Sequence, residues 1–403
     1  MSMLTRRVLL GTAAAGLAAP AIVRAQGTGP IRIGEINSYT AVPAFTVPYR
    51  NGWQLAVDEI NAKGGVTGRK IEVISRDDAG QPQNATRLAG ELLTDSKVDL
   101  LAGGFLSNIG LALSDFAARS DKLYVAGEPL ADSLVWDKGT PTCFRMRPST
   151  YMQVAMMMSE AVKLPGKRWA TVAPNYEYGQ SAVKWFKQLL KAARPEVEFV
   201  AEQWPALGKI DAGATVQALL DAKPDAIFNV TFGGDLTNFV RQGNTRGLFD
   251  GRDVVSVLTG EPEYLIPLGD ETPEGWLVTG YPVGQIGTPA AKAFEAAYQA
   301  RFKETPRMGS VVGYALISSI VAGIAKAGSL ETAKLEAGFR GASFDTPFGA
   351  AMYRPIDQQS TFGTYVGRTA VKAGAGTMVA WKYVDGATAQ PPDAEVRKMR
   401  PGA

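Results

Sequence analysis

Residues 31–36, Ile-Arg-Ile-Gly-Glu-Ile, form a short apolar run of the kind that makes a buried strand. The segment after it carries Trp53, Ala56, Val57 and Ile60 at i, i+3, i+4 and i+7, the spacing of a helix with one buried face. The alternation then repeats. A strand is predicted at 71–74, a helix with Ala85, Leu88, Ala89 and Leu92 on one face, a strand at 98–101, a helix around 113–117 and a strand at 123–126. Strands that alternate with helices need crossovers, so the pattern predicts a parallel sheet with right-handed connections.

After a stretch broken by Pro141 and Pro148 the alternation starts again. A helix at 151–162, a strand at 169–173 and an amphipathic helix with Ala182, Phe186 and Leu189 come first; strands at 199–201 and 226–230 follow, with helices between and after them. Beyond a strand at 276–279 lie helices at 290–302 and 309–327, and a Gly-rich tail is expected to end in short strands, with a hairpin turn at 370–376. No repeat of solenoid period is visible. A chain of 403 residues is long enough for two α/β lobes with separate cores, and one large domain stays open on length alone.

The first 25 residues stand apart from this pattern. Arg6-Arg7 precedes an apolar, Ala-rich stretch that ends in Val23-Arg24-Ala25, the arrangement of a cleaved export signal of the twin-arginine type, with the mature chain starting near Gln26. The general secretory route stays open. Residues 8–23 are fewer than the roughly 20 apolar residues that a membrane span needs. Losing Arg6, Arg7 and Arg24 takes the formal net charge from +3 to zero, which leaves no basic excess for nucleic acid. Cys143 is the only thiol and histidine is absent, so an internal disulfide, Ser-His-Asp or Cys-His catalysis and His-ligated zinc are all excluded. No cofactor or metal is expected.

Several motifs have ordinary readings. Gly64 to Lys70 lacks the GxxxxGK[ST] spacing and leads from a helix into a strand, so it reads as a helix C-cap and turn rather than a phosphate cradle. Asp77-Asp78 offers too few oxygens for calcium and reads as loop hydrogen bonding or capping. Met152, Met156, Met157 and Met158 read as a helix packed into a core.

Residues 56–70, AVDEINAKGGVTGRK, followed by Asp77-Asp78, resemble the opening of the solute-binding proteins of branched-chain amino-acid ABC transporters. The resemblance continues in order through Cys143-Phe144-Arg145, residues 176–181, Arg241-Gln242 with Gly247-Leu248, and residues 346–349. It implies a type I periplasmic binding protein: two Rossmann-like α/β lobes with parallel central sheets, joined by three crossing strands, that close on a small solute and present it to membrane permease subunits. The expected protein is a periplasmic, non-enzymatic monomer. Its divisions are a signal at 1–25, lobe 1 at 30–149 plus 282–349, lobe 2 at 150–281 plus 350–390, and a tail at 391–403. The rival readings are a ligand-sensing domain of a signalling system and an α/β enzyme. The export signal argues against a cytoplasmic regulator, and the missing histidine, GxSxG elbow and phosphate loop argue against an enzyme.

Carried over residue by residue, the family pattern implies a cleft with Ser107 as a ligand-carboxylate partner, Tyr178 as a covering aromatic and Glu261 as the acid that pairs with an α-ammonium. Phe45 falls in a first-lobe loop and Phe232 in or beside a second-lobe binding loop. The alternative for Ser107 is a helix N-cap. The chain also departs from the pattern. Glu128 and Leu130 stand where amino-acid receptors have a small residue and a threonine, and Gly80 and Leu106 replace a pair of cysteines. A buried acid beside a ligand carboxylate repels it unless protonated, so either Glu128 points away or the ligand is not an ordinary α-amino acid. The expected solutes are a small amino acid, an amide, or a short or aromatic carboxylate.

Overall fold

The computed structural model describes residues 29–400. The proposed signal at 1–25 lies outside the described residues. The chain opens with β1 (Ile31–Asn37), α1 (Pro43–Ala62), β2 (Ile71–Asp77), α2 (Pro82–Thr94), β3 (Leu100–Gly103), α3 (Ser107–Arg119), β4 (Tyr124–Ala126) and β5 (Cys143–Arg145). These strands form an all-parallel sheet in the order β2-β1-β3-β4-β5. Six of the seven residues of β1 are buried, as expected for a parallel strand covered by helices on both faces.

The next run is α4 (Thr150–Ala161), β6 (Arg168–Val172), α5 (Glu177–Ala193), β7 (Glu198–Gln203), α6 (Ala212–Ala222), β8 (Ala226–Asn229), α7 (Gly233–Thr245), β9 (Asp253–Gly260), α8 (Pro262–Leu268) and β10 (Leu277–Gly280). The chain then returns to the first sheet's side with α9 (Pro289–Phe302), α10 (Met308–Ala327), α11 (Thr332–Phe339) and the hairpin β11 (Ser343–Thr346) and β12 (Gly349–Met352). It ends with β13 (Thr364–Lys372), β14 (Ala375–Val384) and α12 (Asp393–Met399). The second sheet has the order β14-β13-β10-β9-β8-β6-β7, so β13 and β14 extend five parallel strands with an antiparallel pair. The chain therefore crosses between lobes three times: after β5, after β10 and after β12. The first and third crossings pair with each other, Arg145 N donating to Gln358 O at 3.1 Å and Ser360 N to Arg145 O at 2.9 Å.

Helices α1 and α10 hold lobe 1 together at nearly touching distance. A Cβ on Gly52 would lie 2.0 Å from Ser310 O, and one on Gly313 2.0 Å from Tyr49 O, so only glycine permits this crossing. By length and composition α10 could cross a membrane, yet 72% of its most apolar window is buried, which makes it the core helix of the lobe.

Several elements differ from the sequence reading, among them β5 and α11, which it did not contain. Helix α1 starts ten residues before Trp53, because Pro43 stands near its start and fixes a helical φ there. Strand β9 went unread, although Val254, Val255, Val257 and Leu258 make a β-branched, apolar run. The tail strands β13 and β14 are long, at nine and ten residues, and turn through Ala373 and Gly374, both at positive φ. The smaller motifs sit as read. Gly65 N closes the end of α1 on Ile60 O at 2.9 Å, Asp78 accepts from Ser38 Oγ at 2.7 Å and Gly80 N at 2.7 Å, and Met152, Met156 and Met157 are buried in the core.

Candidate functional site

Ligands of parallel α/β sheets bind outside the carboxyl ends of the strands, and that is where the sequence-chosen residues converge. Ser107 is the first residue of α3, after β3. Its cap position belongs to Leu106, so the N-cap role considered for Ser107 is not the one it plays. Glu128 follows β4. Tyr178 lies in the first turn of α5 after β6, Phe232 is the N-cap of α7 after β8, and Glu261 is the N-cap of α8 after β9. Phe45, expected in a loop, lies in the first turn of α1 instead.

Four of these residues, Ser107, Glu128, Tyr178 and Phe232, line a cavity of about 30 Å³ between the lobes, room for a water-sized group; Phe45 and Glu261 are not in its lining. Lobe 1 contributes Phe105, Ser107, Glu128 and Leu130, and lobe 2 contributes Tyr176, Tyr178, Phe232, Leu258 and Tyr264. Phe45 stands behind Phe105, ring centroids 5.2 Å apart. Phe105 reaches across to Phe232 at 6.4 Å, and Phe232 meets Tyr178 edge-on at 5.9 Å. The lobes are closed on one another.

Arg147, which the sequence reading missed, stands at the centre of the polar half. It lies on the first crossing, two residues after β5, and is 2% exposed. One of its terminal nitrogens donates to Glu128 Oε2 of lobe 1 and the other to Glu261 Oε1 of lobe 2. Its Cζ sits 5.3 Å over the Phe45 ring, and Gln359 of the third crossing holds its carbonyl oxygen at 3.0 Å. The available signal was indirect: two acids in apolar loops, Glu128 and Glu261, each needed a cation, and Arg147 precedes a proline in an otherwise apolar stretch.

The triad carries two acids against one base. Burial pushes Glu128 up to about 7 although Arg147 pulls it down, and burial pushes Glu261 well above the usual carboxylate range against the same guanidinium. Burial acts to lower Arg147, but Glu128 and Glu261 more than offset it and hold the guanidinium in its charged form. At neutral pH the excess negative charge is therefore relieved by a proton on one of the carboxyls. Glu128 Oε1, Glu261 Oε2, Arg147 Nε and Tyr178 Oη are buried without a partner among the described residues. Buried polar atoms in native proteins are normally satisfied, so these four mark where a solute or water belongs.

Two further contacts tie the lobes. Glu263 of α8 accepts from Met308 N at 3.1 Å and Gly309 N at 2.7 Å, capping α10 of the opposite lobe. Asp132, in the loop after β4, accepts from Tyr151 N at 3.0 Å and Trp185 Nε1 at 3.0 Å on lobe 2.

The comparisons agree with this geometry. The family model described as "Periplasmic binding protein" matches residues 30–375. Leu/Ile/Val-binding protein BraC3 of Rhizobium johnstonii is 28% identical over 82% of this chain and 88% of its own length. A solute-binding protein of an ABC transporter from Rhodopseudomonas palustris, solved with 3,4-dihydroxy benzoic acid, superposes with a TM-score of 0.80 at 25% identity, covering 89% of this chain and 98% of that one. A periplasmic binding protein from Burkholderia mallei superposes with a TM-score of 0.81 at 21% identity, over 92% and 99%, and shares the fold. With its two-lobed fold, an interlobe cleft and a family match over most of its length, the chain belongs to the periplasmic binding protein family, as an ABC-transporter solute-binding protein and not an enzyme.

Proposed function

We propose that this receptor captures a small carboxylate with an apolar or aromatic body and delivers it to ABC permease subunits from the periplasmic side of the membrane. One observation carries the ligand class. Of the four helices whose cap or first turn lines the cavity, α5, α7 and α8 have an acid in the first turn, in Glu177, Asp235 and Glu263, whereas α3 has none. The free N–H groups and the Ser107 hydroxyl at the start of α3 therefore form the one cleft helix terminus suited to an anion. The aromatic walls suit the solute's body. Both relatives support this class, since a branched-chain amino acid and 3,4-dihydroxybenzoic acid each combine a carboxylate with an apolar frame.

In this reading Phe45, Ser107, Glu128, Tyr178, Phe232 and Glu261 form the ligand site, joined by Arg147. Lobe 1 comprises 30–149 and 282–349, lobe 2 150–281 and 350–390, with 391–403 as a tail, and hinge closure creates the surface that the permease recognises. The protein works as a monomer, exported by the signal at 1–25. Titration calorimetry of the mature protein against a panel of aliphatic and aromatic carboxylates tests the reading. A one-to-one complex is expected with at least one acid, and at 100 times Kd it should stabilise the fold by about 2.7 kcal/mol. No binding by any carboxylate would overturn it.

A further inference from the structure

We propose that Arg147 is a specificity-determining residue: its guanidinium fills the cation site formed by Glu128 and Glu261, so the cleft selects hydroxyl-bearing aromatic acids over α-amino acids. This rests on the carboxylate-receptor reading and narrows it.

Two buried carboxyl groups facing one cleft, one from each lobe, make a site for a cation. Here the protein supplies that cation itself. Each acid already accepts a hydrogen bond from Arg147, whose side chain is 2% exposed and covered by the Phe45 ring. An arriving ammonium would lie beside a guanidinium in a water-poor pocket, and like charges there repel strongly. It would also have to break one of the two ion pairs, leaving Arg147 with a single partner.

What the triad leaves open is one oxygen on each acid. Glu128 Oε1 and Glu261 Oε2 are buried and unpartnered, as is the Tyr178 hydroxyl. A ligand hydroxyl both donates and accepts, so it satisfies a carboxylate oxygen and equally a protonated carboxyl. An ammonium donates only. The space around these atoms is bounded by Phe105, Phe232, Tyr178 and Tyr264, whose faces and edges suit a planar ring. With the carboxylate at the start of α3, a ring hydroxyl is the group that reaches the free acid oxygens. Arg147 is held by both acids through its terminal nitrogens, and its Nε–H, unpartnered among the described residues, is left to donate to a ligand oxygen.

The test uses matched pairs of ligands on the mature protein, measured by titration calorimetry. L-phenylalanine against 3-phenylpropionate, and L-leucine against 4-methylpentanoate, isolate the ammonium; 4-hydroxybenzoate against benzoate isolates the hydroxyl. The wild type should bind each amino acid at least a hundredfold more weakly than its des-amino partner, and 4-hydroxybenzoate at least tenfold more tightly than benzoate. In Arg147→Met the amino-acid penalty should shrink at least tenfold, because the acids then accept an ammonium. If that variant does not fold, the wild-type pairs decide the matter alone. Amino acids that bind as tightly as their des-amino partners, or a hydroxyl without effect, would overturn this inference while leaving the carboxylate receptor intact. If none of the six compounds binds, the receptor reading falls and the inference falls with it.

Discussion

Arg145 and Arg147 are two residues apart on the same crossing, both buried, yet they are embedded in opposite ways. Arg145 is bound by neutral groups: its Nε donates to Gln359 Oε1 at 2.5 Å and one terminal nitrogen to Ala131 O, while its backbone pairs with Gln358 and Ser360. Arg147 is bound by two carboxyl groups from different lobes. The first guanidinium staples two hinge strands and faces no ligand. The second sits between elements of the two lobes. Burial alone does not mark a functional arginine. What marks it is hydrogen-bonded charged partners contributed by different lobes.

Removing each arginine in turn should have the largest effect. At pH 8, Arg147→Ala leaves two buried acids without their base and should cost about 3–5 kcal/mol of unfolding free energy. At pH 5 both acids take up protons, and the loss should fall toward the 1–3 kcal/mol of an unsatisfied neutral group. Arg145→Ala leaves only neutral acceptors unpaired and should cost about 1–3 kcal/mol at both pH values. Urea unfolding at pH 5 and 8 separates the two. A pH-dependent loss at Arg145, or a pH-independent one at Arg147, would remove the distinction.

The next effect is the wild type's own pH profile. Burial raises Glu128 from 4.5 to about 7, so the folded state holds its proton more tightly than the unfolded chain. Stability from this group is complete below pH 4.5 and is lost as pH rises through 7, about 3 kcal/mol in all. Glu35, buried beside Tyr39 and Ser75 inside lobe 1 and raised to about 8, acts in the same direction away from the cleft. Glu128→Gln should therefore flatten the profile between pH 5 and 7, while the Glu35 contribution continues toward pH 8. A smaller loss is expected at the capping contact. Glu263→Ala removes the acceptor for two N–H groups of α10 and should cost about 1–2 kcal/mol. It should also raise the ligand-free radius of gyration in X-ray scattering, because the contact joins opposite lobes. Smallest is Ser107→Ala, which should weaken carboxylate binding by about 0.5–1.5 kcal/mol, roughly three- to tenfold, without moving the melting temperature.

The sequence made the fold legible because parallel α/β architecture writes itself in alternating apolar runs, and the carboxyl-end loops then locate the site. Ser107, Tyr178, Phe232 and Glu261 are singled out by the family resemblance; the first three also follow strands that the pattern reveals, whereas Glu261 follows the unread β9. Strand β9 escaped because a short run of valines between turns has no periodicity of its own. Arg147 escaped for a different reason. Its role depends on Glu128, 19 residues before it, and Glu261, 114 residues after it, and no local pattern encodes that meeting. The departure at Glu128 was visible as a charge without a partner, and its partner became visible only when three chain segments were folded together.

Arg147 is expected to stay with its two acids when the solute is bound. A crystal structure of the mature protein with 4-hydroxybenzoate tests it most directly. The guanidinium should still bridge Glu128 and Glu261, with the ring packed against Phe105, Phe232 and Tyr178, the hydroxyl within hydrogen-bond distance of Glu128 Oε1 or Glu261 Oε2, and the carboxylate at Ser107. A guanidinium turned away from both acids and bound to the ligand carboxylate would contradict it.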